Sequence, residues 1–296
     1  MLLYLYYTYW QRERERERHW PRPHICVVLL YHIYICNYYF LNYIILTIQN
    51  SKRKMTLPLF IGSSLIAFGP VLAISYLIVL RRSQLTILSL CSAWIFMMTL
   101  IFSSVIWAII VPLQTMYPLI MVISAVLQEL SRYGIVKLYY YCYGILIDRG
   151  KKRLAGESNN KNRILPINNI SAAISLGTGI AAIYSFMLYG HVGSKTLGVG
   201  TYYLETCKSM SIYIFHAISS CLLSLLHIMW TILAFDSYNK KSVLRGSVII
   251  ITHLSALLIT LLNSTNEGCI SSIIFESVLV VLVGLYTLKI MQNGME

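Results

Sequence analysis

Residues 211–263 read SIYIFHAISSCLLSLLHIMWTILAFDSYNKKSVLRGSVIIITHLSALLITLLN. Two apolar runs flank a short basic turn, Asp236-Ser-Tyr-Asn-Lys-Lys-Ser-Val-Leu-Arg245. Each run is long enough for a helix across about 30 Å of hydrocarbon, and each carries one deep histidine. His227 sits in CLLSLLHIMW (221–230) and His253 in VIIITHLSAL (248–257). At 1.5 Å rise per residue, His227 lies about 12 Å before the turn and His253 about 10 Å after it. Two antiparallel neighbours therefore hold both imidazoles at a similar depth. An ionisable group in hydrocarbon is costly, so it faces other helices rather than lipid.

The rest of the chain has the same character. Of 296 residues 57% are hydrophobic and 12% charged, and mean hydropathy is +0.66. Soluble domains carry about a quarter charged residues. The composition implies an all-α polytopic membrane protein in contact with membrane lipid. The net charge of +13 is read as basic loops on one side of a membrane, not as a nucleic-acid surface. The seven cysteines (26, 36, 91, 142, 207, 221 and 269) form no C-x-x-C pair or metal-finger spacing. They are read as small hydrophobes rather than as disulfides or metal ligands.

Seven spans are expected, at about 57–80, 86–111, 118–138, 170–189, 211–235, 246–263 and 270–288, with a short tail at 291–296. Asp148–Arg163 is read as a polar loop and Gly190–Met210 as a Gly-rich loop. The loops after spans one, three and five hold Arg81, Arg82, Arg149, Lys151, Lys152, Arg153, Lys161, Arg163, Lys240, Lys241 and Arg245; the opposite loops hold Lys195 and Lys208. That asymmetry puts the rich side in the cytosol, the amino end at Met55 in the lumen and the carboxyl end in the cytosol. Residues 1–54 look foreign to this pattern. Arg12–Arg18 is a strict Arg-Glu repeat, 24–49 is an apolar Tyr-rich segment, and Lys52-Arg53-Lys54 would lie on the wrong side. They are expected to be an extension, spurious or cleaved, with Met55 as the authentic start.

Few residues could carry chemistry. Intramembrane aspartyl proteolysis needs two aspartates facing each other inside the bilayer. Here Asp148 and Asp236 both fall at the cytosolic boundary. No G-x-S-x-G elbow is present. A zinc centre built on His227 and His253 would draw its third ligand from His216, Asp236, Glu129 or Glu276. No H-x-x-x-H pair fixes two ligands on one helix, and histidines bonded between helices or facing partners are the preferred reading. The third span carries Leu127-Gln-Glu-Leu-Ser-Arg-Tyr133. Glu129 and Arg132 share a face there and can pair, with Gln128 alongside in a buried polar network. In the fourth span Ala173, Gly177 and Ala181 recur every four residues, with Gly179 as an alternative centre. Such a small-residue stripe admits another helix backbone. Glu276 is a lone charge in the last span, to be met by a histidine or by Arg132.

Several stretches together resemble one family. From Met55 the chain is similar to the anterior-pharynx-defective (Aph-type) subunit of gamma-secretase. Met55-Thr-Leu-Pro-Leu-Phe-Ile-Gly62 with Ala67-Phe-Gly-Pro70 resembles the family's amino terminus, and Ser103-Ser-Val-Ile-Trp107 its second helix. Leu127-Gln-Glu with Arg132 and Lys137 resembles its third, and Leu226-His-Ile-Met-Trp230 through Phe235-Asp236 its fifth. Thr252-His253-Leu254 with Leu262-Asn263 resembles its sixth. The resemblance implies a seven-helix, non-catalytic scaffold without a cofactor. Its partners would be presenilin, nicastrin and a small two-helix subunit, in the intramembrane protease that cuts type I proteins such as Notch and amyloid precursor. It would reside in the endoplasmic reticulum, Golgi and plasma membrane. The family's small-residue stripe falls on Ala173, Gly177 and Ala181 and would face partner helices. The family's histidines fall on His227 and His253, which would hold the inner polar network and help dock presenilin. The competing readings are a seven-span zinc hydrolase acting on lipid and a heptahelical receptor. The receptor is disfavoured because no disulfide is expected in the lumenal loops and the third cytosolic end has no D-R-Y-like motif.

Overall fold

The computed structural model describes residues 57–110, 116–156, 168–193, 203–204, 207–265 and 268–292. The expected extension at 1–54, with its apolar segment, lies outside them. Among the described residues, seven helices are long and apolar enough to cross a membrane. Helix α1 (Leu57–Ile74) widens into a π turn at Ser75–Val79, where Leu80 N–H bonds Ser75 O at 2.8 Å. Then follow α2 (Ser83–Ile109), α3 (Tyr117–Gly156) and α4 (Asn169–Gly193). A small antiparallel hairpin, β1 (Tyr203–Leu204) and β2 (Cys207–Ser211), leads directly into α5 (Ile212–Asn239). Helix α6 (Val243–Thr260) ends in a 3₁₀ turn at Leu261–Ser264, and α7 (Gly268–Gln292) closes the described chain.

Helix α5 is the axis of the bundle. It is buried along nearly its whole length and packs on α4, α1, α7, α6 and α3. Its sequence is apolar on all sides, which suits a helix enclosed by others rather than one facing water. The outer helices show the opposite pattern. Leu65, Leu72, Trp94, Leu130, Ile251 and Leu282 are all more than half exposed. A ring of exposed large apolar side chains on a helical bundle is a lipid-facing surface, and helices satisfy the backbone polar groups that hydrocarbon cannot.

Close helix contacts run through small residues. Ser92 Oγ donates to Leu176 O at 2.8 Å, and Ser175 Oγ donates to Leu85 O, so α2 and α4 are tied at two levels. Ser63 and Tyr189 hydroxyls share a bond of 2.6 Å between α1 and α4, above the buried Ala67 and Ala217. With no apolar driving force between helices in lipid, such packing and bonds hold the bundle.

Three expectations are corrected. Cys207 and Cys269 form a disulfide, with Cα atoms 6.0 Å apart, joining β2 to the first turn of α7. They are 62 positions apart in sequence, so no spacing rule announced them. The stretch Asp148–Gly156 is helix, not loop. Lys, Arg, Leu and Ala are good helix formers, and an apolar run ends where the membrane does, not where the helix must. Likewise α4 runs on to Gly193, and part of the expected Gly-rich loop is the hairpin.

Candidate functional site

Helix α3 supplies a buried acid and a buried base. Glu129 and Arg132 are one turn apart, and Arg132 Nη1 donates to Glu129 Oε1. A charge pair in this position needs further hydrogen bonds to be tolerated, and two other helices provide them. Arg132 Nη2 donates to His227 Nδ1 on α5 at 2.8 Å. On α6, His253 Nδ1 meets Glu129 Oε1 at 2.5 Å. A guanidinium can only donate, so His227 Nδ1 must accept and its ring proton sits on Nε2. The carboxylate can only accept, so His253 Nδ1 carries a proton. The two imidazoles are held in complementary states by one ion pair.

Aromatic rings wall the cluster. Trp230, one turn beyond His227, stacks on His253 with centroids 4.5 Å apart, and its Nε1–H donates to Thr252 Oγ1 at 2.9 Å. Arg132 Cζ lies 5.5 Å from the Trp230 ring, within cation–π range. Tyr184 of α4 lies 4.3 Å and Phe96 of α2 5.5 Å from the His227 ring, centroid to centroid. Helices α2 to α6 thus converge on one imidazole. Arg132 and His227 are fully buried, and Glu129 keeps a little exposure towards a cleft between α3, α5 and α6.

Not every residue singled out from the sequence joins this cluster. Gln128 is buried, but its Nε2 donates to Ser124 Oγ at 3.1 Å on its own helix. One residue along a helix turns about 100°, enough to take it off the face shared by Glu129 and Arg132. Glu276 is fully buried and meets neither a histidine nor Arg132. Ser272 Oγ lies 3.5 Å from its Oε1, and Ser219 and Tyr184 are its neighbours on α5 and α4. Asp236, also buried, is held by Arg245 and by Lys240 Nζ at 3.1 Å, pinning the basic turn to the end of α5.

The metal reading loses its ligands to these contacts. His227 Nδ1 accepts from Arg132, which leaves the proton on Nε2 and no lone pair for a metal, and the guanidinium beside it would repel a divalent cation. Asp236 is committed to two basic side chains, and Glu276 lies beside Ser272 and Tyr184, in contact with neither His227 nor His253. Among the described residues no group of three His, Cys, Asp or Glu side chains is placed to hold a metal.

The small-residue stripe of α4 faces inward, and its neighbours belong to this chain. Ala173 and Ala181 are fully buried. A Cβ on Gly177 would lie 3.0 Å from Ile228 Cα of α5. A Cβ on Gly179 would overlap the Ser89 carbonyl and Ser92 Oγ of α2. The expected presentation to partner helices is therefore replaced by internal packing at both glycines.

The sequence model of the family described as Aph-1 protein matches residues 58–294. The chain belongs to the Aph-1 family. This Aph-1 chain is similar to the gamma-secretase subunit Aph-1 of Drosophila melanogaster, 25% identical over 236 residues, covering 80% of this chain and 94% of that one. It is 25% identical over 220 residues to the gamma-secretase subunit APH1-like of Arabidopsis thaliana, covering 73% and 86%. It is 29% identical over 213 residues to the human gamma-secretase subunit APH-1B, covering 68% and 77%. The Aph-1 match spans all seven helices and the whole cluster. Of the wall residues Phe96, Tyr184 and Trp230, only Trp230, one helical turn from His227, carries a signal in the sequence.

Proposed function

We propose that this Aph-1 chain is a non-catalytic assembly subunit of gamma-secretase, stabilising presenilin and nicastrin, with the small two-helix subunit, for intramembrane proteolysis of type I membrane proteins such as Notch and amyloid precursor. The observation that carries the reading is the likeness to relatives named as gamma-secretase subunits over 77–94% of their length. The chemistry of the cluster supports it. Glu129, Arg132, His227 and His253 bond one another across three helices, an arrangement suited to locking helices rather than to turning over a substrate. Partners would dock on the exposed apolar faces of the outer helices, which the locked core holds in register. His227 and His253 would support presenilin docking indirectly, through that register.

Orientation follows the same reading. The basic residues at the α1–α2 and α5–α6 turns belong in the cytosol, and the Cys207–Cys269 bond, at the opposite ends of α5 and α7, belongs on the oxidising lumenal side. The protein would traffic through the endoplasmic reticulum and Golgi to the plasma membrane. The test is complementation. In cells lacking their own Aph-1, expression of this chain restores cleavage of a type I reporter. No restoration, despite normal membrane levels, would contradict the proposal.

A further inference from the structure

Beside the polar cluster, with Glu129 and Arg132 in its wall, the bundle holds a cleft of about 720 Å³ between α3, α5 and α6. That volume lies within the range of built small-molecule sites, about 300–1,000 Å³. Val126, Leu130 and Ile250 line it and are exposed on the bundle's outer face, so the cleft opens towards lipid. It starts at the α5–α6 turn, at Lys241, and reaches Leu254 and Glu129. From Val243 to Leu254 is about 16 Å at 1.5 Å per residue, close to half of the roughly 30 Å hydrocarbon core. A crossing helix would need a groove of the full thickness; this one has the length of a single leaflet.

The charges are arranged as an amphiphile requires. Lys241 lines the mouth, and among the described residues no carboxylate pairs with it; elsewhere on the same turn Lys240 and Arg245 are held by Asp236. The turn as a whole carries three cations against one anion, so this end of the cleft is positive. Lys241 is set by a left-handed backbone, φ 47°, which turns the chain sharply between α5 and α6. Gly246 adds no side chain to the wall, where Ser237 Oγ is the nearest atom to its Cβ position. Below the mouth the wall is apolar through Leu130, Ile250 and Leu254. Glu129 at the inner end is neutralised by Arg132 and His253.

We propose that this cleft binds one anionic glycerophospholipid from the leaflet on the turn side, its headgroup phosphate at Lys241 and one acyl chain along Leu130, Ile250 and Leu254. The proposal does not depend on membership of a protease complex. Basic pockets at helix ends are recognised acceptors for such headgroups.

The experiment uses the full chain, purified with whatever co-purifies, in phosphatidylcholine vesicles carrying a diazirine-tailed phosphatidylserine. The proposal expects adducts concentrated on Leu130, Ile250 and Leu254, displaced by unlabelled phosphatidylserine and not by phosphatidylcholine. Lys241→Gln should reduce labelling about fivefold. The wild-type adduct map needs no variant to fold, so it stands alone. Adducts spread evenly over the exposed helices, or equal competition by phosphatidylcholine, would overturn the proposal. So would unchanged labelling of a folded Lys241→Gln chain, or a cross-linker at Ile250 that captures another polypeptide instead of lipid.

Discussion

Arg132 and His227 are 95 positions apart in the chain, and the guanidinium donates to the imidazole Nδ1 at 2.8 Å in the middle of the bundle. This bond joins α3 to α5, and the Glu129–His253 contact joins α3 to α6. Removing any one member strands the others in a medium without water.

The first prediction concerns that dependence. His227→Ala leaves Arg132 Nη2 without its acceptor and opens space between Phe96 and Tyr184. The expected loss is about 2–4 kcal/mol of stability, read as a lower melting temperature in detergent and a lower steady-state level. His227→Asn offers a carbonyl acceptor at the reach of Nδ1 and should recover part of the loss.

Glu129 and Arg132 should behave as a unit. Glu129→Gln leaves a buried cation uncompensated, at a cost of about 3–5 kcal/mol. Replacing both partners, Glu129→Leu with Arg132→Met, should cost less than the sum of the single changes. Unfolding midpoints of the singles and the double give the coupling; additive effects would place the two side chains apart.

The two glycines of α4 have different neighbours, and a third glycine serves as a control. Gly179→Ala drives a methyl into the Ser89 carbonyl, so α2 and α4 must separate, at about 1–3 kcal/mol. Gly134→Ala on α3 has nothing within 4 Å of the new Cβ and should be neutral or stabilising by up to about 1 kcal/mol. Thermal shift of the two purified variants separates them directly.

The Cys207–Cys269 bond closes a 62-residue separation. Non-reducing peptide mapping should recover the linked peptides, and Cys269→Ser should lower stability by about 2–4 kcal/mol. After mild reduction in sealed microsomes, the thiols should resist a membrane-impermeant reagent until the vesicles are opened. Reaction from the outside would reverse the proposed orientation.

The sequence revealed local relationships more readily than distant ones. The pairing of Glu129 with Arg132 and the matched depths of His227 and His253 follow from helix rise and periodicity alone. Gln128 adjoins Glu129 in sequence but lies on another face of the helix, where it bonds Ser124. Gly177 and Gly179 could be seen as small, but not as facing α5 and α2, because a stripe does not say which helix covers it. Phe96 and Tyr184 were invisible as a wall for His227, since aromatic residues occur on every face of an apolar span. The disulfide joins two cysteines that no spacing relates; only the folded hairpin brings them within reach.

The most direct measurement is native gel migration in cells lacking their own Aph-1, comparing the wild-type chain with His227→Ala at matched membrane levels. The account predicts that the wild-type chain co-migrates with presenilin and that the variant does so several-fold less. A wild-type chain that never co-migrates with presenilin, or a variant that assembles as well as the wild type, would contradict it.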